Sequence, residues 1–325
     1  RGRHMIKLGM RSGIKRKAMK KGTRADGFRG LLSFFLMASC LWGISASAQD
    51  LSLVEQKVHK LSDTVWWIEP VPAYGGNIAV SAGEDGILMV DDQLMPLTDD
   101  IKEAVASIQE GKIDFLVNSH YHYDHAGGNA AFGEESLIIA HHSVRTRLLE
   151  GREAGTTFRE EPHPAEAIPV LTFKENITFD WNGEDIDVIY LGNASHTDGD
   201  AVIFFRESNV IHTGDQYVNL YGYPFIDLAV GGSATGLRDN IAATLAMIDD
   251  DTKVIPGHGS MTTKTELQAY HDRIAATIDL VEKQKSAGKS LDEIQAAGLP
   301  DEYSKFTGFM TIPAWIQMVF SSLND

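Results

Sequence analysis

The chain has 325 residues, 43% hydrophobic and 23% charged, with 29 Lys plus Arg against 45 Asp plus Glu and a formal net charge of −16. That acid excess argues against nucleic acid or anionic membrane as a partner, since both require a basic face. A single cysteine, Cys40, excludes a disulfide framework.

The charge is unevenly placed. Between Arg1 and Arg29 stand eleven Lys or Arg and one acid, Asp26, followed by an apolar run from Leu31 to Ile44 and then Ser45-Ala46-Ser47-Ala48. Basic region, short apolar core and small residues in that order predict a secretory signal over residues 1–48, cleaved after Ala48. A membrane anchor is the weaker reading, because about 14 apolar residues fall short of the ~20 that span a bilayer. A lipoprotein signal acylated at Cys40 fits loosely, though the apolar run continues through Leu41 and Trp42. Met5, Met10 and Met19 are alternative starts. Cleavage would lower Lys plus Arg from 29 to 18 and Asp plus Glu from 45 to 44, for a net charge of −26. Residues 49–325 are then expected as one periplasmic or secreted α/β domain, without stable membrane insertion. That domain has no thiol, so any metal site in it must use nitrogen and oxygen.

After residue 50 the pattern predicts strands at Val65–Ile68, Asn77–Ser81 and Gly86–Val90, separated by glycine-marked turns. Ile101, Val105 and Ile108 set helical spacing over Leu97–Glu110, and Phe115–Asn118 reads as a buried strand running into His120. Further strands are expected at Leu137–Ala140, Ile186–Tyr190, Ala201–Phe205, Val210–His212 and Lys253–Ile255. Helices are expected at Ser143–Glu150, Thr235–Ile248 and Thr262–Lys285, and over the tail from Ser290 to Leu323. Two strand-rich halves, each ending in helices, suggest two sheets face to face with helices outside. Polar motifs at the strand ends can then converge on one cleft.

The strongest motif is His120-Tyr121-His122-Tyr123-Asp124-His125, between a buried strand and Gly127-Gly128. In an extended or tightly turned segment alternate residues point the same way, so His120 and His122 can grip one ion. Asp124 and His125 are then free to face a second. Three imidazoles and a carboxylate within six residues suit zinc. His196, Asp215 and His258 each follow an apolar strand as well. Singly each is an ordinary strand-end residue; together, in this order, they are not a coincidence.

This set of motifs resembles the metallo-β-lactamase superfamily over roughly residues 60 to 262. The resemblance implies an αββα sandwich with a dinuclear zinc site at one edge. It implies that His120, His122 and His196 bind the first zinc, that Asp124, His125 and His258 bind the second, and that Asp215 bridges both. Asp91 matches an aspartate standing behind the ligands, with an ordinary turn acid as the rival reading. Many lactamases carry a cysteine where this chain has Asp215, and others lack the bridging acid. The all-His/Asp set therefore looks like the glyoxalase II and lactonase type.

The implied activity is hydrolysis of a small molecule by a zinc-held hydroxide that opens a β-lactam, lactone, ester or thioester carbonyl, with Asp124 as the catalytic carboxylate. Export favours the β-lactam and Asp215 favours the ester group. The alternatives are an iron-dependent oxidoreductase or sulfur dioxygenase of the same fold, and a non-catalytic metal-binding protein of the envelope. His141, His142 and His212 are expected to be structural, and His59, His163 and His271 to lie at the surface. Trp66, Trp67, Tyr74, Tyr217, Tyr221, Tyr223 and Phe225 are candidates for either groove walls or core.

Overall fold

The computed structural model describes residues 50–151, 162–220 and 222–323. The expected signal segment with Cys40, and Tyr221, lie outside the described residues.

The first sheet is built from β1 (Glu55–Lys60), β2 (Val65–Val71), β3 (Ile78–Gly83), β4 (Gly86–Val90), β5 (Phe115–Asn118), β6 (Leu137–His141) and β7 (Leu171–Phe173), hydrogen-bonded in that order. β1 to β4 form an antiparallel meander, and β4 to β7 run parallel. Parallel neighbours need crossovers, supplied here by helices. These are α1 (Thr98–Ile108), the short turns α2 (Tyr123–Ala126) and α3 (Asn129–Phe132), and α4 (His142–Glu150).

The second half supplies β8 (Asn176–Trp181), β9 (Glu184–Tyr190), β10 (Ala201–Phe205), β11 (Val210–His212), β12 (Val218–Asn219), β13 (Lys253–Ile255), β14 (His258–Gly259) and β15 (Thr262–Thr263). Its main sheet has the order β15-β13-β11-β10-β9-β8, while β12 and β14 pair separately. Helices α5 (Ala234–Met247), α6 (Lys264–Ser286), α7 (Leu291–Ala297), α8 (Asp301–Ser304) and α9 (Ile312–Ser322) complete this half.

The alternation of side chains along the strands generates the layers. In β4, Leu88 and Val90 join the apolar cluster shared with Ile203 and Phe205 of β10, so the two sheets pack face to face. Ile87 and Met89 point the other way, against Ile101 and Val105 of α1. Across the second sheet, Val202 and Phe204 meet Leu237 and Ile241 of α5, Ile274 of α6 and Trp315 of α9. The result is the expected αββα sandwich. β4 and β10 are buried on both faces, which is why Ile87–Val90 and Ala201–Phe205 read as unbroken apolar runs.

Boundaries moved where local chemistry decided them. The helix expected from Thr262 starts at Lys264, because Thr262 and Thr263 pair with β13. Thr263 then caps the helix in a reciprocal box with Glu266. β1 and β8 were not anticipated: β1 is largely exposed, and β8 buries only one face partly.

The sheets are riveted together near one edge. Asn77, fully buried, donates through Nδ2 to the carbonyls of Pro256 (2.8 Å) and Gly259 (2.7 Å). Its backbone N–H donates to Gly257 (2.7 Å), and its carbonyl accepts from His212 Nε2 (3.0 Å). Ala201 N–H donates to Ser119 across the same gap (2.8 Å). His212 is thus structural, as expected.

Trp315 is fully buried, stacks on Tyr223 at 5.0 Å and donates to Thr277 Oγ1 at 3.0 Å. Trp315→Ala is expected to lower unfolding free energy by about 3–5 kcal/mol. Urea denaturation should show the midpoint falling with little change in slope.

Candidate metal centre

β5 delivers the chain at Asn118 to Ser119 and His120. His122 is still extended (φ −62°, ψ 149°) and starts α2, so Asp124 and His125 lie within a helical turn. The motif therefore splits between two conformations, with two histidines on the extended stretch and Asp124-His125 on the turn beyond. His196 follows β9, Asp215 follows β11 and His258 opens β14.

The structure brings all seven residues together. His120, His122 and His196 each place a donor atom within 4.8 Å of the others, as do Asp124, His125 and His258. Asp215 stands between the groups. Its Oδ1 lies 3.1 Å from His125 Nε2 and 3.5 Å from His258 Nε2, and its Oδ2 lies 3.5 Å from His196 Nε2. One oxygen thus faces each group. The crowding shows in two glycines: a Cβ on Gly257 would lie 1.9 Å from Asp215 Oδ1, and one on Gly76 would lie 2.3 Å from the His125 ring. Neither position accepts a side chain without displacing the site.

Each histidine of the long motif is held from behind. Asp91 accepts from His125 Nδ1 (2.8 Å), from Ser119 N–H (2.6 Å) and from Ser119 Oγ (2.6 Å), in a left-handed backbone conformation with φ 63°. Strain of that kind persists where surrounding bonds over-determine the residue. The Asp91 carboxylate thus stands behind the candidate ligands, and the turn-acid reading fails. His120 Nδ1 lies 3.1 Å from Ser119 Oγ. His122 Nε2 lies 3.0 Å from Asp227 Oδ2, which also accepts from the Tyr121 hydroxyl. His196 Nδ1 donates to the Phe225 carbonyl at 2.8 Å, while Asp227 N–H donates to the His196 carbonyl at 2.9 Å.

Those outer bonds decide what the inner nitrogens can be. A carbonyl only accepts, so His196 carries its proton on Nδ1 and presents a bare Nε2. His122 donates to a carboxylate and presents a bare Nδ1. The two bare nitrogens face each other at 2.8 Å. Lone pairs at that separation repel unless a cation lies between them. A proton is a poor candidate, since burial and the neighbouring His122 lower the pKa of His196. His120 is held well below the usual imidazole range by burial and three nearby histidines, and its Nε2 has no hydrogen-bond partner among the described residues. The second group differs. Burial opposes charge on His125 and His258, but Asp215, helped by Asp91 at His125 and by Asp124 at His258, outweighs it and raises both. Burial likewise opposes charge on Asp215 and Asp124, yet the adjoining histidines lower both. This half demands positive charge beside its carboxylates. Bare nitrogens, the converging carboxylates of Asp215 and Asp124 and the lack of a thiol among the described residues fit divalent metal ions with nitrogen and oxygen preference.

Asp227, Ser119 and the Phe225 carbonyl escaped sequence reading. For Asp227 a signal existed: a lone acid within Phe225-Ile226-Asp227-Leu228-Ala229-Val230 implies a buried, partnered carboxylate. The aromatics divide. Tyr217 and Tyr223 are core and do not wall a groove, because α6 and α9 cover them. Trp67 fills the space between the sheets. Phe225 lies against the site, with ring centroids 6.1 Å from His122 and 6.0 Å from His196. His141 caps α4 through Nδ1 and stacks on Tyr190 at 4.3 Å, a structural role.

An αββα sandwich with a His/Asp cluster at the strand ends defines a class of metal-dependent hydrolases. The family model of the metallo-beta-lactamase superfamily matches residues 74–259, and the chain belongs to that superfamily. Its members bind metal ions, usually zinc. A hydroxyacylglutathione hydrolase from Polaromonas sp. is 29% identical over 187 residues, covering 56% of this chain and 61% of that protein. The chain thus spans less than two thirds of that relative's length. Among solved structures, a metallo-beta-lactamase from Pontibacter korlensis superposes with TM-score 0.54 at 15% identity, over 67% of this chain and 99% of that one. The stereoselective inverting sec-alkylsulfatase Pisa1 from Pseudomonas sp. gives 0.61 at 17% identity, over 82% of this chain and 50% of that one. At these identities the likeness is one of fold.

The outer anchors make a split prediction. Asp227→Asn is expected to weaken metal retention by about 10–100-fold, through His122. Asp91→Asn should act similarly, through His125. Competition with a chromophoric chelator should show weakened retention in each variant and a larger loss in the double variant.

Proposed function

We propose that the protein is a zinc-dependent hydrolase of ester-type carbonyl bonds (lactone, ester or thioester) in small molecules. His120, His122 and His196 would hold one ion and Asp124, His125 and His258 another, with Asp215 placed between the two groups. The observation that carries this reading is Asp215, with one carboxylate oxygen toward each group of ligands. The hydroxyacylglutathione hydrolase relative, named for a thioester substrate, supports the ester-type chemistry over the β-lactam. The secretory signal expected over residues 1–48 supports an activity outside the cytoplasm.

Bound at this centre, zinc supplies Lewis acidity toward a carbonyl oxygen and lowers the pKa of water to about 7. The chain's own residues do the rest. Asp124 is the ligand carboxylate that reaches solvent, with 37% of its side chain exposed, and His258 Nε2 holds its Oδ2 at 3.2 Å. The adjoining histidines lower its pKa, so it enters as a carboxylate able to orient water and receive its proton. The water oxygen bonds to the carbonyl carbon and the bond to the leaving oxygen or sulfur breaks. The leaving group then takes the proton from Asp124. Asp91 and Asp227 hold His125 and His122 in place while charge develops. No serine or cysteine nucleophile takes part.

Chelator treatment is expected to abolish hydrolysis of simple lactones and thioesters, and zinc to restore it. Asp124→Ala should lower kcat by about 10²–10⁴-fold, the range for a positioned acid–base group. Turnover of a chromogenic cephalosporin instead of these substrates would make the protein a β-lactamase with an unusual aspartate ligand. Stoichiometric iron in the purified protein would sink the hydrolase reading.

A further inference from the structure

A cavity of about 260 Å³ lies between α1, α3 and the two loops that enter β5 and β6. The candidate metal ligands His120 to His125 follow the far end of β5, so the cavity stands at the opposite end of the parallel strands. A four-residue strand spans roughly 13 Å, beyond the Debye length of about 8 Å at physiological salt, so charge at the centre reaches the mouth of this cavity weakly.

The space exists because small residues face it. Ala106 of α1, Ala131 of α3 and Gly111 in the loop before β5 line the cavity, and a Cβ on Gly111 would meet nothing within 4 Å. Val105, Ile113 and Phe132 line it too, are themselves buried, and give it an apolar surface. Two ammonium groups stand over that surface. Lys102 Nζ lies 5.3 Å above the Phe132 ring, and Lys112 Nζ lies 3.2 Å from Asp114 Oδ1. Lys102 has no carboxylate partner among the described residues, and the Lys112 side chain is 61% exposed, with N–H groups to spare. Glu135 is the one carboxylate that lines the cavity, while Glu103, Glu110 and Glu134 flank the lining residues in sequence. A cationic ligand would thus meet two ammonium groups against one carboxylate. With Asp114 already sharing Lys112, a dianion would find too little positive charge.

We propose that this cavity binds a small monocarboxylate with an apolar body, its carboxylate on Lys102 and Lys112 and its body against Val105, Ile113 and Phe132. The space falls just below the usual range for drug-sized ligands, which limits the occupant to a small acid. Apolar contact supplies the affinity, at about fourfold for each fully buried methylene. The lysines select the charge, at about two- to fivefold for each partly exposed pair. The cavity shares no lining residue with the metal centre, so the site stands whether or not that centre hydrolyses esters.

The test titrates the metal-loaded protein with 4-methylpentanoate, acetate, 4-methylpentanamide and free leucine, following the methyl NMR signals of Val105 and Ile113. 4-Methylpentanoate should shift both signals saturably, about tenfold more tightly than acetate and about fivefold more tightly than the amide. Lys102→Gln, at an exposed position, should remove most of the preference for acid over amide. Ala106→Leu, which fills the space from an exposed helical position, should reduce the affinity to that of acetate. Carboxylates also bind metal ions, so the histidine ring signals of the centre are followed in parallel. Shifts confined to those ring signals, equal affinity for acid and amide, or affinities unaltered in both variants would overturn the proposal. Tighter binding of leucine than of 4-methylpentanoate would overturn it as well, by assigning the cavity to a zwitterion read by Glu135.

Discussion

Everything at the centre depends on a repulsion that the protein cannot relieve with its own atoms. His122 Nδ1 and His196 Nε2 face each other at 2.8 Å, each with its proton committed to the far side of the ring. Close by, the adjoining histidines lower Asp215 and Asp124, and those carboxylates in turn raise His125 and His258. Buried groups of this kind are tolerated only when something compensates them. A bound cation would do so, and metal binding would then be part of folding free energy.

That requirement explains why the second sheet is tied to the first where it is. His120, His122, Asp124 and His125 come from the end of a strand in one sheet, and His196, Asp215 and His258 come from the other. A slip of either sheet would part the two sets. Asn77 prevents it by bonding to Gly257 and Gly259 on either side of His258, while Ser119, next to His120, accepts from Ala201. These are mostly backbone bonds, which leave no specific residue type behind. Only Asn77 could have been noticed in sequence, and an asparagine after two glycines reads as an ordinary turn.

The ligands were legible because chemistry restricts residue type: few side chains can serve, and the His and Asp candidates each followed an apolar strand. The sandwich was legible for a related reason, since β3, β4, β10 and β11 are buried and their apolar runs stand out. β1, with the sequence Glu-Gln-Lys-Val-His-Lys, is an edge strand held by backbone pairing to β2, and its side chains carry almost no pattern. The aromatics after Asp215 were ambiguous because core and groove want the same side chains. Tyr217 and Tyr223 are core only because α6 and α9, far along the chain, fold back over them. Asp227 was hidden for a different reason: its partner, His122, lies 105 residues away.

The segment from Tyr217 to Asp227 joins two tasks that could have been kept apart. Its first part pairs Val218 and Asn219 with His258 and Gly259 of β14 and so positions the second cluster. Its last part fixes the first cluster: the Phe225 carbonyl takes the His196 proton, and Asp227 holds His122 by its side chain and His196 by its backbone. A backbone shift at Phe225 would therefore displace His196 and, through Asp227, His122 together. Phe225 to Asp227 is thus constrained by the geometry of the candidate ligands on both sides. A loop that anchors ligands of both groups limits how far either group can move without the other.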